Sequence, residues 1–437
     1  MMRPRFLWGS AILLVLPVPV SAATDPVGGI PSPSEGPKTE AKAPLRFGPV
    51  KPGLDVMIRG EAAGNFSLAD SAFAPGKDDS RILFRVRPSV AYNPVDWFRA
   101  RAEGQWYAAY DERDFSEFTL YQGFVEASPR GSKTVGLKAG RQELVYGSAF
   151  MLGADTFFDG LSFDAVKLSV KPSQAISVDA FGGQYVRKNS GGIEGKLYGV
   201  YATFAPGKAV SVDLYGLDDT GGEGATHAGG AHERTYSFGS RLCANIGGRV
   251  DVEVEPVWQF GRKARASSAH DDIRAFGGHV DVTIDPRVSR HPGKIFLSYA
   301  YGSGDGDPAD GTFREFHNPN NDTSLVGNMS VVGELSGLEV GGFAASGLRV
   351  VTAGGGIDLT DKLNVSLDAH YFRANRVPAG FSRDVGLETD LLAAYKVAQS
   401  VSVFLSANRF FTGGFFRDAA GSRKDIGYYY LQVQAGL

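Results

Sequence analysis

The chain has 437 residues, with 57 glycines, 11% aromatic residues, and 45 basic against 48 acidic side chains. A net charge of -3 provides no global field of the kind that attracts nucleic acid, and the single cysteine excludes an intramolecular disulfide framework and a cysteine-based zinc cage. The abundance of glycine and aromatic residues favours many short strands and turns over a helical fold.

The N-terminus has the pattern of a secretory signal peptide. Two arginines precede an apolar run at 6–20, and a Ser-Ala-Ala sequence follows it. A membrane anchor is the alternative, but this run has about 15 residues, whereas a spanning helix needs about 20. We therefore expect residues 1–23 to be a cleaved signal peptide. Residues 24–50 are rich in Pro, Gly, Ser, Lys and Glu, which predicts a short disordered tail in the periplasm.

Beyond the tail, segments of alternating polarity recur along the chain. In one of them, Arg99, Arg101, Glu103 and Gln105 alternate with apolar or small residues. The same two-residue period is found in 84–92, 250–258, 363–371 and 401–407. Successive side chains of a strand point to opposite faces of the sheet, so this period predicts strands with one wet face and one apolar face.

The connections between these segments fall into two classes. Short turns are predicted at 93–95, 128–133, 172–174, 206–207, 247–248, 285–291, 360–361 and 397–398. Longer loops are predicted at 64–79, 111–117, 145–159, 187–192, 219–232, 263–270, 302–346, 375–382 and 412–424. Short periplasmic turns and longer outer loops are typical of outer-membrane barrels. We therefore predict an all-β fold, a transmembrane antiparallel β-barrel of about 18 strands over residues 51–437.

A soluble β-sandwich pair or a β-propeller is the alternative, because strands in those folds also alternate in polarity. A propeller would show a repeat of about 40 to 50 residues, and we find no such repeat in the sequence. The signal peptide and the unequal connections favour the membrane barrel and place it in the outer membrane of a Gram-negative cell.

In the predicted registers, the polar, lumen-facing side of the first strands carries lysines and arginines. The same side of the later strands carries carboxylates. The basic residues are Arg59, Arg85, Arg87, Arg99, Arg101, Lys138, Lys167 and Lys171. The acidic residues are Asp179, Asp213, Asp251, Glu253, Glu255, Asp281 and Asp368. The two walls could form a selectivity filter for charged solutes, or their charges could simply pair as polar lumen residues do. We expect a tight hairpin to bring Arg85, Arg87, Arg99 and Arg101 into one anion-binding patch.

Two stretches of the chain resemble the alginate export family. The first is 137–148, with Gly140-Arg141-Gln142 at its centre, and the second is 301–313, which leads from a Gly-Asp pair to a Thr-Phe step. The resemblance extends over 54–437 and implies an 18-stranded barrel in the outer membrane. One departure is the final residue, Leu437, because such barrels typically end in an aromatic residue. Resemblance in fold does not fix the substrate.

The longest predicted loop, 302–346, far exceeds the usual connection and suggests a gate or lid that lies either inside or above the barrel. Its Asp305, Asp307 and Asp310 could hold calcium, but their spacing lacks the complete EF-hand pattern, so an ordinary turn is favoured.

These observations predict a channel that passes an anionic saccharide, an alginate-like polymer or its fragments, through an arginine-lined lumen. The candidate substrate-binding residues are Arg59, Arg85, Arg87, Arg99, Arg101, Lys138 and Arg141. The alternatives are a general or nutrient-uptake porin and a closed surface-binding barrel. No enzyme motif is present, so we predict no catalytic residue, cofactor or metal. The expected partners are outer-membrane lipid, the saccharide and the outer-membrane assembly machinery, and not nucleic acid.

Overall fold

The computed structural model describes residues 48–437 except 112, 131, 133, 187–192, 221–232, 265–269, 287–290 and 330. The predicted signal peptide lies outside these residues, and so does the predicted tail except for its last three positions. The predicted loop 187–192 and most of the predicted loops 219–232 and 263–270 also lie outside them.

Eighteen long strands form one closed antiparallel sheet, which confirms the predicted barrel and its strand number. The strands of the barrel are β1 (Val50–Ser67), β2 (Ala72–Val95), β3 (Phe98–Tyr110), β4 (Phe115–Ala127), β5 (Val135–Gln142), β6 (Phe163–Ser173), β7 (Ile176–Val186), β8 (Ile193–Phe204), β9 (Val210–Asp219), β10 (Arg234–Ile246), β11 (Val250–Ala264), β12 (His270–Ile284), β13 (Gly293–Gly302), β16 (Phe343–Thr360), β17 (Leu363–Arg376), β18 (Asp384–Ala398), β19 (Val401–Thr412) and β20 (Ile426–Gly436). Two short strands, β14 (Thr312–Phe313) and β15 (Gly337–Val340), lie between β13 and β16.

Closure of the sheet is achieved by its first and last strands. Residues 55–64 of β1 pair antiparallel with residues 427–436 of β20, and β13 pairs directly with β16. The remaining barrel strands pair with their neighbours in the sequence. A closed sheet satisfies the backbone hydrogen bonds of every strand without leaving an edge, which the interior of a bilayer requires.

The outer face of the barrel is apolar. Leu214, Leu367, Leu405 and Leu431 are 53 to 59% exposed, although each lies in the middle part of its strand. Outward aromatic residues occur toward the short turns and toward the longer loops; they include Tyr92, Phe204, Tyr395, Tyr110, Trp258, Phe260 and Phe411. An apolar band between two aromatic girdles is the lipid-facing surface of a transmembrane barrel.

The single helix among the described residues is α1 (Gly414–Ala420), between β19 and β20. In the described part of the chain, no helix has the length and hydrophobicity needed to cross a bilayer.

The first hairpin is longer than predicted. Residues 64–79 were expected to form a loop, but β1 continues to Ser67 and β2 begins at Ala72. Two side chains stabilise this extension: Asn65 accepts a hydrogen bond from the Gly76 N–H at 2.7 Å, and Asp79 accepts one from the Leu68 N–H at 2.9 Å. Polar sequence does not prevent strand pairing where side chains of the same hairpin provide such bonds.

Candidate functional site

Two connections between strands fold into the lumen and narrow it. The β5–β6 segment (143–162) and the β13–β16 segment (303–342) carry fully buried apolar side chains, among them Phe150, Leu152 and Phe316. Both segments contact inward-facing side chains of the barrel wall. The long predicted loop therefore enters the barrel, and the predicted loop at 145–159 enters with it.

The two segments bind each other near the middle of the lumen. The Gly153 N–H donates to the Asn320 carbonyl at 2.8 Å, and the Asp322 N–H donates to the Ala149 carbonyl at 3.0 Å. The Asp322 carboxylate accepts a hydrogen bond from the Asp155 N–H at 3.0 Å. Burial raises the pKa of Asp322 to about 6, although backbone N–H groups act in the opposite direction. The segments thus form one hydrogen-bonded constriction.

Polar side chains of the wall hold this constriction in place. On one side, Arg85 donates to the carbonyls of Thr156 and Phe157, and Gln105 donates to the Asp159 carbonyl at 2.8 Å. On another side of the lumen, the Glu388 carboxylate of β18 accepts the N–H groups of residues 328 and 329 at 2.6 and 2.8 Å. The constriction is therefore attached to strands on different parts of the barrel.

Three of the predicted site residues, Arg59, Arg85 and Arg87, face the lumen as expected but are buried. Arg59 forms an ion pair with Glu61 at 2.8 Å, and its guanidinium lies 3.5 Å from the Tyr430 ring centroid. Arg85 pairs with Asp55 as well as with the β5–β6 segment. Arg87 lies 3.9 Å from a tyrosine ring centroid and donates to Gln105. In this conformation, these three guanidiniums bind protein groups.

The expectation of one patch of four arginines is wrong. Arg101 pairs in register with Ala91, four positions along β2 from Arg87, which corresponds to about 13 Å at the usual rise per residue. Side chains on the two strands of a hairpin lie side by side only where their positions are paired. Arg85 and Arg87 lie farther from the short turn after β2 than Arg99 and Arg101 do, so other residues of β3 are their partners. Arg99 and Arg101 lie close to that turn, where Arg99 pairs with Glu126 at 2.9 Å and Arg101 with Glu103.

Four basic side chains, Arg99, Arg101, Lys138 and Lys167, form a second group near the short-turn end of the lumen, which we call the basic patch. Lys138 and Lys167 are paired across β5 and β6, and Glu126 of β4 is paired with both Arg99 and Lys138. The side chains of Arg99, Arg101 and Lys167 are 23 to 26% exposed, in contrast to the buried arginines above.

Lys138 has a distinct environment within the basic patch. Its ammonium nitrogen lies 3.8 Å from the ring centroid of Phe124. Lys167, by contrast, forms an ion pair with Asp179 at 3.3 Å. Among the residues that the structure describes, no ion pair holds Lys138. Its charge is therefore the one in the basic patch that is least compensated by protein carboxylates.

Arg141 does not face the lumen, contrary to its place among the predicted site residues. It pairs in register with Gly123 and Asp164, on the same face of β5 as the exposed Leu137. Its guanidinium binds Asp164 at 2.9 Å and the Leu120 carbonyl at 3.0 Å on the outer surface. With a period of two, the inward orientation of Lys138 turns Arg141 outward.

Three of the carboxylates predicted to face inward, Asp213, Glu253 and Glu255, are buried inside the barrel and surround an arginine that the sequence analysis missed. Another of them, Asp179, pairs with Lys167 beside the basic patch. Arg241 of β10 lies 3.1 Å from Asp213 and 2.7 Å from Glu253, and only 2% of its side chain is exposed. The two-residue period could have revealed it, because the buried Cys243 lies on the same face of β10.

Asp305, Asp307 and Asp310 form turns rather than a converging ligand cage. Each carboxylate accepts a hydrogen bond from a backbone N–H two residues later, at 2.8 to 3.1 Å. Asp310 also pairs with Arg314 at 2.7 Å. This geometry is the ordinary turn that the sequence favoured over a calcium site.

Several solved porin structures resemble the barrel. OprD of Pseudomonas aeruginosa is 16% identical with a TM-score of 0.53, and the match covers 91% of this chain and 97% of that one. OpdL of the same organism is 12% identical with a TM-score of 0.58 over 90% and 99% of the two chains. OccK2 (OpdF), solved in complex with glucuronate, is 13% identical with a TM-score of 0.57 over 89% and 98%. At such identities the likeness concerns the fold.

Among curated proteins, none matches the sequence significantly. A sequence model of the family described as "Alginate export" matches residues 49–427, which is most of the chain. This match agrees with the closed 18-stranded barrel, its apolar outer band and its charged lumen. The chain belongs to the alginate export family and has the fold of an outer-membrane channel of Gram-negative bacteria.

Proposed function

We propose that this channel passes an anionic saccharide, an alginate-like polyuronate or its fragments, and that the basic patch is where the solute's carboxylates bind. The observation that carries the proposal is the position of Lys138, which is paired with Lys167 on the neighbouring strand and lies two strands from Arg99. The Lys138 ammonium lies against the Phe124 ring and forms no ion pair with a carboxylate among the described residues. Polyuronates carry one carboxylate per sugar, so a short row of cations can bind successive residues of the polymer.

Two further points support the proposal. The family is named for alginate export, and a structural neighbour, OccK2, was solved with the uronate glucuronate. Conduction requires weak binding at several sites, because a solute that binds too tightly does not leave. Partly exposed cations with nearby carboxylates meet that requirement better than the buried Arg59 and Arg85, whose donors already bind protein groups.

Planar-bilayer recordings test this assignment with the double variant Lys138→Gln/Lys167→Gln. We expect a lower anion preference in the reversal potential. We also expect oligouronates to block the current with about tenfold lower affinity, because a charge-assisted hydrogen bond contributes about 1.5 to 3 kcal/mol and 1.4 kcal/mol corresponds to tenfold.

The matched control is Arg141→Gln, which removes a positive charge from the outer face of the same strand. Its selectivity and block should equal those of the wild type. Equal selectivity and block in the double variant would rule out the basic patch as the binding site. A porin without preference for uronates would be recognised by weak selectivity in all three proteins.

A closed surface-binding barrel is the second candidate function, and one observation favours it. The two inward segments bind each other across the lumen at Gly153 and Asn320. If wild-type protein in a bilayer passes no current at any voltage that the membrane withstands, the closed barrel is the better assignment. Measurable conductance would reject it.

A further inference from the structure

A second group of charged residues lies on the wall formed by β10, β11 and β12, apart from the basic patch. Glu253 and Glu255 of β11 are paired across the sheet with Asp281 and His279 of β12. All four side chains face the lumen and are at least 95% buried. The group lies under the β5–β6 segment, where the Phe150 ring packs 4.7 Å from the His279 ring.

The charges of this group do not balance. Four carboxylates, those of Asp213, Glu253, Glu255 and Asp281, are matched by the one guanidinium of Arg241. The His279 ring lies among three of these carboxylates, and even with an imidazolium at position 279 two negative charges are left over in a buried environment. Buried carboxylates without a compensating charge are costly, so a further cation would stabilise the group.

The geometry indicates where such a cation would bind. The Nε2 atom of His279 lies 3.5 Å from Oε2 of Glu255 and 3.8 Å from Oε1 of Glu253. Nε2 of His279 and Oε1 of Glu253 are buried and have no hydrogen-bond partner among the described residues. Two ligands of a tetrahedral zinc ion, each about 2.0 to 2.1 Å from the metal, are about 3.3 Å apart. The two nitrogen–oxygen distances are thus close to the spacing of a metal's ligands, and one ligand atom from each of the three residues lies within 4.8 Å of the others.

The surrounding residues orient the three ligands as supporting groups do in metal sites. Asp281 binds the Nδ1 atom of His279 at 2.6 Å, which leaves Nε2 directed at the two glutamates. Arg241 holds the other oxygen of Glu253 at 2.7 Å. Tyr215 and Ser148 donate to Glu255 at 2.6 and 3.0 Å. In metal sites, a carboxylate that accepts a hydrogen bond from the second nitrogen of a ligand histidine fixes the orientation of the imidazole ring and makes the ligand nitrogen more basic.

We propose that Glu253, Glu255 and His279 bind a divalent transition-metal ion of the zinc type inside the barrel wall. One imidazole nitrogen among the ligands selects this class over calcium or magnesium, which prefer oxygen ligands alone. The ion brings the charge of the group close to neutral. Because Ser148 and Phe150 contact the ligands, the ion also stabilises the β5–β6 segment against the wall.

Metal titration of the full-length, detergent-folded barrel tests this site independently of transport. After treatment with a chelator, the wild type should bind one Co²⁺ ion per chain with visible absorption bands, and Zn²⁺ should displace it. X-ray absorption of the zinc form should show nitrogen and oxygen neighbours with an imidazole contribution. Absence of saturable binding near one ion per chain, or a first shell without imidazole, would overturn the proposal.

Variants locate the ion. His279→Gln and Glu253→Gln should abolish the Co²⁺ bands, and Asp281→Asn should weaken binding about 10- to 100-fold, the usual effect of losing a supporting carboxylate. His370→Gln is the matched control, since His370 is also buried in the lumen, with its Nε2 3.4 Å from Asp390, but lies outside the three-ligand group. Heat-modifiable mobility in electrophoresis checks that each variant is folded. Wild-type affinity in a folded His279→Gln protein would assign the ion to another site.

Discussion

The buried arginines of the first strands act as attachment points for the constriction. Arg85 donates to two carbonyls of the β5–β6 segment and pairs with Asp55, while Arg59 packs 4.5 Å from the ring centroid of Phe157 in the same segment. A guanidinium suits this role because it carries five donors in a planar arrangement. The same residue type thus serves attachment in the middle of the lumen and, in our proposal, solute binding near the short-turn end.

Arg85→Met should loosen the β5–β6 segment. Each charge-assisted hydrogen bond contributes about 1.5 to 3 kcal/mol, so the loss of the two carbonyl contacts weakens the attachment considerably. We expect larger open-channel current fluctuations in bilayer recordings and faster proteolysis within 143–162. Arg101→Met is the control, because Arg101 pairs with Glu103 of its own strand. Identical fluctuations and proteolysis in both variants would contradict the role assigned to Arg85.

At the level of elements, the β13–β16 segment has a titratable group outside the strands. His317 lies 3.0 Å from Glu315 and 3.5 Å from Glu334. Burial by itself lowers the pKa of His317, but the Glu334 and Glu315 carboxylates outweigh burial and raise the pKa to about 9. A folded-state pKa above the unfolded value of about 6.5 means that protonation stabilises the fold. This contribution is complete below about pH 6.5 and is lost as the pH rises through about 9.

We therefore expect hydrogen exchange around residues 315–318 to accelerate between about pH 6.5 and pH 9, beyond the intrinsic increase with pH. His317→Gln carries no titrating ring and should remove this pH dependence. If the extra acceleration persisted in the variant, His317 would not be its source.

The contact between the two inward segments depends on a glycine. A Cβ atom at Gly153 would lie 2.3 Å from the Cβ of Asp322. Gly153→Val should therefore separate the segments at a cost of about 1 to 3 kcal/mol, typical of overpacking, and increase single-channel conductance. Gly207→Val is the control, because a Cβ at Gly207 in a short turn would meet no atom within 4 Å. A conductance no larger than that of the control would show that this contact does not restrict the pore.

For the whole molecule, the outer band of the barrel must be matched to the bilayer. Leu391 lies at the centre of β18 and faces outward, whereas Val397 faces outward near the short turn at the end of the strand. A charge on the lipid face of a barrel costs about 2 to 4 kcal/mol at the bilayer midplane and about 0 to 1 near the interfaces. The depth of a residue in the band therefore decides its tolerance to charge.

Leu391→Arg should accordingly destabilise the barrel by about 2 to 4 kcal/mol and Val397→Arg by about 0 to 1, measured as reversible unfolding in denaturant in lipid vesicles. Equal losses in the two variants would contradict the placement of the band.

The two-residue period of the sequence determined much of this protein. It predicted the strands, the number of strands through the turns between them, and the lumen orientation of residues such as Lys138, Glu253 and Asp281. Such predictions succeed because the side-chain direction in a strand depends on local backbone geometry, which the sequence pattern of one segment reports.

Tertiary structure alone decided the relations between segments. Register across the β2–β3 hairpin separated Arg87 from Arg101, and the register of β10 against β9 and β11 placed Arg241 between carboxylates of both neighbouring strands. The entry of 143–162 and 303–342 into the lumen depends on hydrogen bonds to distant strands, such as those to Glu388. These contacts join residues far apart in the chain, and no local periodicity encodes which distant partner a polar side chain will meet.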